Sequence, residues 1–175
     1  PFGETTVIER IASVLLASRI EETIIVLGHR GDEIQAQLAG YDVQIVRNPD
    51  PDGDMLSSTQ CGVRAATPGH GLMIVLGDQP LITTEMVDEL ISFYEKKQGF
   101  FIIPVHGDKR GHPMIVSPRY RDDILSLRGD IGLKELRDLY PEAIYGVPVD
   151  TEHMLADMDY YHEYENALKH FDHKD

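Results

Sequence analysis

The chain has 175 residues, of which 42% are hydrophobic and 26% charged, an ordinary globular balance with enough length to bury a core unaided. No apolar run reaches the length of a membrane span, the start does not read as a signal peptide, and the lone Cys61 has no partner for an internal disulfide, so the expectation is one soluble domain over residues 1–175 in a reducing cytoplasm, with no membrane partner. The 16 Lys and Arg against 30 Asp and Glu give a net charge of −14, which disfavours nucleic acid, and an acidic chain that handles phosphates calls for a cation, usually Mg²⁺.

Residues 4–18 read as an amphipathic helix. Thr6 with Glu9 is a capping box, and Ile8, Ile11, Ala12, Leu15 and Leu16 share one face. Ile24–Leu27 is a short apolar strand ending at Gly28-His29-Arg30-Gly31. Asp32–Leu38 is a short helix closed by Gly40, and Val43–Val46 alternates into another strand. Helix and strand at such short spacing predict a doubly wound α/β sheet.

Asn48 to Gly53 is neither helix nor strand, because Pro49, Pro51 and Gly53 punctuate it. A helix from Met55 to Ala66 follows, with Ser57 or Ser58 near its first turn. Helix N-termini present free N–H groups and a positive dipole end, suited to a phosphate or a base carbonyl. The same composition also fits an acidic surface loop.

Leu72 to Leu76 is uncharged and contains Ile and Val, the pattern of a strand buried on both faces. It stops at Gly77-Asp78-Gln79-Pro80, where Gly77 is expected to turn the backbone and Pro80 to end the strand. Thr83 or Thr84 can cap the next helix, whose first turn holds Glu85. Ligands of open α/β sheets bind beyond the carboxyl ends of strands, which makes Asp78 a candidate for metal or phosphate; a surface turn Asp is the alternative.

Glu85–Lys97 is a helix with Met86, Val87, Leu90, Ile91 and Tyr94 on its buried side, and Phe100–Val105 is a strand. The hairpin-like His106–Gly111 carries Lys109 and Arg110, a basic pair that fits phosphates or an exposed turn. His112-Pro113 leads into Met114-Ile115-Val116. Tyr120–Leu127 and Leu133–Leu139 are helical, Ala143–Val149 is a last strand, and Tyr160–Phe171 a terminal helix. Asp157 and Asp159, two apart in an extended segment, point to opposite sides, so one of them can face a given metal, unless both serve as helix caps.

In combination these stretches resemble the MobA-like nucleotidyltransferases, within them the molybdenum cofactor cytidylyltransferase branch. The likeness spans nearly the whole chain. Asn48-Pro49 through Gly53, Met55, Ser58 and Gly62 is similar to the NP…GM..S…G stretch, with Asp54 as a small insertion. Gly77-Asp78-Gln79-Pro80 matches GDQP, Gly111-His112-Pro113 the GHP turn, and Gly129-Asp130-Ile131-Gly132 the GDxG segment. Asp157-Met158-Asp159 resembles DIDT.

The resemblance implies a Rossmann-like three-layer α/β/α fold of the nucleotide-diphospho-sugar transferase type, with a mostly parallel sheet shared by Ile24–Leu27, Val43–Val46 and Leu72–Leu76. It implies that Asp78 and Asp159 hold Mg²⁺ within bridging distance of each other, while Asp157 serves the fold. Asn48, Pro49, Gly53, Ser58, Gly62, Gln79, Pro80, Gly111, His112, Pro113, Gly129, Asp130 and Lys134 would contact substrate. The implied reaction transfers a nucleotide, CMP from CTP, to a molybdopterin-type phosphate and releases pyrophosphate. Alternatives are a sugar-phosphate nucleotidyltransferase, or an inert binding module that docks a molybdoenzyme.

Some positions depart from the family pattern. Lys134 stands where Arg is usual after GDxG, and Tyr160-Tyr161-His162 replaces Thr-Pro-Glu after DIDT. The family opens with a strand and a glycine-rich loop, LAAGxSxRMGxxK, whereas Pro1 to Ile8 resembles the segment after that loop. The expectation is an N-terminally incomplete domain with a gap at the first strand, weak CTP binding and poor transfer.

Overall fold

The structure, a computed structural model, describes residues 2–50, 52–97, 100–128, 132–155, 158 and 161–172. The first helix, α1 (Val7–Ala17), begins after its cap. Thr6 accepts the Glu9 N–H, and the Glu9 carboxylate accepts the Thr6 N–H at 2.8 Å, which completes the expected capping box. Ile11, Ala12, Val14 and Leu15 then turn inward, as their helical spacing requires.

Strand β1 (Ile24–Leu27) lies parallel to β2 (Gln44–Arg47), with helix α2 (Gly31–Gln37) as the crossover between them. Parallel neighbours need such a connection. Helix α3 (Met55–Ala65) leads to β3 (Leu72–Ile74) and then α4 (Thr84–Lys96). Thr83 caps α4 by accepting the Met86 N–H at 3.3 Å. Next come β4 (Phe101–His106), the two-residue β5 (Lys109–Arg110), β6 (Met114–Val116), α5 (Arg121–Ser126), α6 (Leu133–Leu139), β7 (Ile144–Pro148) and α7 (Tyr161–Asp172).

The described strands form two sheets. One is β1–β2; the other runs β3-β6-β4-β5, with β7 also on β4. Strand β6 is antiparallel to both β3 and β4, and β7 is parallel to β4, so β3, β4 and β7 share a direction. The α/β arrangement expected from the sequence is present. The single sheet through all three early strands is not: β3 ladders with β6 and does not pair with β1. Its ladder also ends at Ile74, two residues before the apolar run does.

The alternation along β3 explains why its sequence is apolar throughout. Leu72 and Ile74 pack on a core made with Leu56 and Val63 of α3, Ile124 of α5 and Leu136 of α6. Met73 and Val75 pack on the opposite core, with Ile11, Val14 and Leu15 of α1 and Val87 of α4. Helices therefore cover both faces, giving three layers. Each fully buried aliphatic side chain in these cores stabilises by about 1.5–3 kcal/mol. No described helix is long and apolar enough to cross a membrane.

Candidate functional site

The end of β2 and the start of α3 form an arch fastened by Asn48. Its side chain is 7% exposed, and its N–H donates to the Leu27 carbonyl at 2.9 Å, joining the arch to β1. Asn48 Nδ2 donates to Ser57 Oγ at 2.9 Å and to Ser58 Oγ at 3.1 Å. Its Oδ1 accepts the Asp50 N–H at 3.1 Å and faces the Cys61 thiol at 3.7 Å. Both amide protons and both lone pairs are thereby engaged, which makes Asn48 the fastener of the arch. Asp54 caps α3 by accepting the Ser57 N–H at 2.7 Å, so one of the helix's free donors is already taken.

Gly53 is required by space. A Cβ there would lie 2.3 Å from Ser57 Oγ and 2.9 Å from the Asp50 carbonyl oxygen. Gly62 lets α3 approach β1, where a Cβ would meet Val26 Cγ2 at 3.3 Å. Pro49 is exposed on the arch, while Ser58 and Gly62 line a cleft of about 1510 Å³ between β1 and β3. His29, just beyond β1, hydrogen-bonds the Asp52 carboxylate through Nε2 and ties a second strand end to the arch.

The opposite wall is β3 with the loop after it. Leu76 and Gly77 line the same cleft. Gly77 does not need its glycine to turn the chain: its φ is ordinary, and a Cβ would meet nothing within 4 Å. The position instead leaves open space at the cleft mouth. Asp78 is half-buried; Gln79 is 2% exposed and Pro80 buried, so these two anchor the loop from beneath.

The β3–β6 register places the GHP turn beside this loop. Ile74 pairs with Met114 in an antiparallel ladder, so residues before Met114 run alongside those after Ile74. The Gly111 N–H donates to the Pro104 carbonyl at 2.9 Å and the His112 N–H to the Met154 carbonyl at 3.0 Å. Gly111 and Pro113 are buried, His112 is half-buried, and the His112–Pro113 peptide is cis. Leu81, just beyond Pro80, packs with Phe2 and Ala167, and Met158 lies against that cluster.

Lys134 is exposed on α6, away from these two walls in sequence, and Lys109 and Arg110 are exposed on β5. Burial, and second the Arg110 charge, push the Arg137 guanidinium below its ordinary value, with Asp138 acting the other way. Asp159, Gly129 and Asp130 lie outside the described residues, and with them the expected Asp78–Asp159 approach and the orientation of Asp157.

Among the described residues, no three or more His, Cys, Asp and Glu gather into a metal cage. A Mg²⁺-type ion needs none, since one or two carboxylates complete its shell with water and phosphate oxygen. Asp78, a hard oxygen donor at a strand's carboxyl end, fits that chemistry.

The three-layer α/β/α domain, with the Asn48 arch and the Asp78 loop at the carboxyl ends of its strands, is the setting in which such folds bind ligands. The family model of the MobA-like NTP transferase domain matches residues 1–144. The chain belongs to that family. Among curated proteins it is similar to nicotine blue oxidoreductase of Paenarthrobacter nicotinovorans, 27% identical over 142 residues that make up 77% of this chain and 69% of that protein. Among solved structures it is similar to a nucleotidyl transferase from Methanothermobacter thermautotroptrophicus, with a TM-score of 0.85 and 26% identity over 100% of this chain and 84% of the other. The fold also matches that of Rv0371c from Mycobacterium tuberculosis in its manganese complex, with a TM-score of 0.81 and 21% identity, covering 97% of this chain and 89% of that one.

Proposed function

We propose that the chain transfers CMP from CTP to the phosphate of a molybdopterin-type cofactor, in a Mg²⁺-dependent reaction that releases pyrophosphate. The observation that carries this reading is the pair of walls at one cleft mouth, Ser58 and Gly62 from α3 and Leu76 and Gly77 from β3. The choice of CTP and of the acceptor comes from the cytidylyltransferase-like motifs.

Nucleotidyl transfer asks for positioning and charge neutralisation more than for covalent chemistry by the protein. Asn48 donates to Ser58 Oγ, which directs the Ser58 proton outward, toward an oxygen of the nucleotide. Gly77 leaves room for a phosphate against the backbone. Pro49 and Gly53 shape the arch over the nucleotide, while Gln79 and Pro80 fix the loop that carries Asp78. Asp78 and Asp159 would hold the cation; Met158, next to Asp159 in sequence, packs near Leu81 and supports that pairing. When bound there, the cation neutralises phosphate charge. Gly111, His112, Pro113, Gly129 and Asp130 would border the acceptor side, and the cations Lys134, Lys109 and Arg110 would receive its phosphate. The acceptor's phosphate oxygen attacks the α-phosphorus, and the bond to the leaving pyrophosphate breaks.

The test is pyrophosphate release with each nucleoside triphosphate and a molybdopterin-type or a sugar-phosphate acceptor. CTP with the pterin should prevail, Asp78→Asn should cut turnover by roughly a hundredfold or more, and a chelator should stop it until Mg²⁺ is restored. Binding of CTP without turnover would favour the inert binding module. A second reading, reduction of a pigment-like acceptor, is favoured only by the match to nicotine blue oxidoreductase. It predicts consumption of a hydride donor with no need for CTP.

A further inference from the structure

Helix α7 carries an aromatic run that the proposed chemistry leaves unused. The Phe2 ring is fully buried and meets Tyr164 edge-on, with centroids 6.5 Å apart and planes at 65°. Tyr164 in turn meets Tyr161 at 5.9 Å and 36°. Both spacings lie in the range where aromatic rings attract one another. Tyr161 is nevertheless 74% exposed, against 58% for Leu139 and 57% for Met55. An exposed ring held on one side by a ring anchored in the core is already ordered, so a ligand that meets it loses little further entropy.

This ring stands beside the candidate site. Tyr164 packs on the same cluster as Leu81, and Leu81 follows Asp78 by three residues, a separation the chain can stretch to at most about 10 Å. Tyr161 lies one turn nearer the start of α7, and Asp159 precedes it by two residues. Helical side chains lean toward the N-terminus of their helix, here the end at which the chain arrives from Asp159. The surroundings narrow the occupant. His162, Glu165, Asn166 and Lys169 of the same helix are exposed, so the aromatic surface is a small island among polar groups. A protein interface needs a contiguous apolar patch of several hundred Å², whereas such an island matches one flat small molecule. The net charge of −14 repels anions but sets no barrier to a neutral heteroaromatic ring.

We propose that Tyr161 is the stacking platform for the flat heteroaromatic ring of the acceptor. It is then the residue that separates a pterin-type acceptor from a sugar phosphate, which has no π face to offer. The aromatic residue is this chain's own, since Tyr160-Tyr161-His162 stands where the family pattern has Thr-Pro-Glu. That the ring belongs to the acceptor rests on the proposed transferase reading; the stacking of a free pterin on Tyr161 does not.

The probe is hydroxymethylpterin, titrated by its own fluorescence anisotropy without nucleotide or metal against the parent chain, Tyr161→Ala, Tyr161→Leu and Tyr161→Phe. Expected are saturable 1:1 binding, about tenfold weaker binding by the Ala and Leu variants, and rescue to within about threefold by Phe. In the transfer assay Tyr161→Ala should raise the KM for a pterin phosphate about tenfold and leave the KM for CTP where it was. Full binding by Tyr161→Leu would make the position a plain apolar contact and overturn stacking. Loss of binding in Tyr161→Phe as well would overturn it too, because the π face is still present there. An equal rise in the KM for CTP would place the ring at the nucleotide instead. A sedimenting dimer that dissociates in Tyr161→Ala would assign the ring to a second copy, and failure of the parent chain to bind the pterin overturns the platform outright. Tyr161-dependent pterin binding without pyrophosphate release would sink the transferase reading alone; release that Tyr161→Ala does not alter would sink the platform alone.

Discussion

Gly53 and Gly77 are both glycines of family-like motifs, yet the structure uses them differently. At Gly53 a methyl group would collide with Ser57 Oγ, which cannot rotate away without leaving Asn48, and with the Asp50 carbonyl. Gly53→Ala should lower the free energy of unfolding by about 1–3 kcal/mol, as overpacking does, measured by urea denaturation. At Gly77 a methyl meets nothing, so Gly77→Ala should leave stability unchanged or raise it by about 0.4–1 kcal/mol. The same change should weaken CTP binding, because it fills the opening at the cleft mouth. Comparing denaturation with nucleotide titration for the two variants separates the roles. Sequence could mark both positions but not distinguish them, since the partners that crowd Gly53 come from the folded arch. The same holds for Asn48: the family-like motif marks the position, and its hydrogen bonds to Ser57 and Ser58, which reach across residues 49–56, come from the folded arch.

Helix caps are the elements that sequence reveals best, because their signals are local. Thr6 with Glu9 and Thr83 before α4 act as the pattern predicts, and Leu133–Leu139 is helical over its expected span. Thr6→Ala should destabilise the domain by about 1 kcal/mol. The Thr6 hydroxyl first, and its N–H second, hold the Glu9 carboxyl below its ordinary value. A carboxyl lowered in the folded state stabilises above its unfolded pKa and loses that contribution as pH falls through the folded value. The gap in melting temperature between the parent chain and Thr6→Ala should therefore be widest at neutral pH and narrow as the solution is taken below the carboxylate range. Strand partners were less legible. Leu72–Leu76 shows that it is buried on both faces but not which strands flank it, because hydrogen-bond edges leave no trace in side-chain periodicity. Only the folded chain shows β6 on one edge of β3 and the cleft on the other.

Across the whole molecule, two features meet: a net charge of −14 and sheets that end, among the described strands, at β2 and at β7. Strand edges of separate copies attract one another through the same hydrogen bonds that build sheets. Long-range repulsion between strongly anionic copies opposes that contact, and salt shortens its reach to about 10 Å at 0.1 M. Static light scattering of concentrated protein should stay flat in dilute neutral buffer, then climb with added sodium chloride and with acidification as carboxylates gain protons. If scattering instead falls with salt, edge contact is not what limits solubility. Such sheet ends would make colloidal behaviour a matter of ionic strength, with dilute buffer holding anionic copies apart and added salt letting them meet.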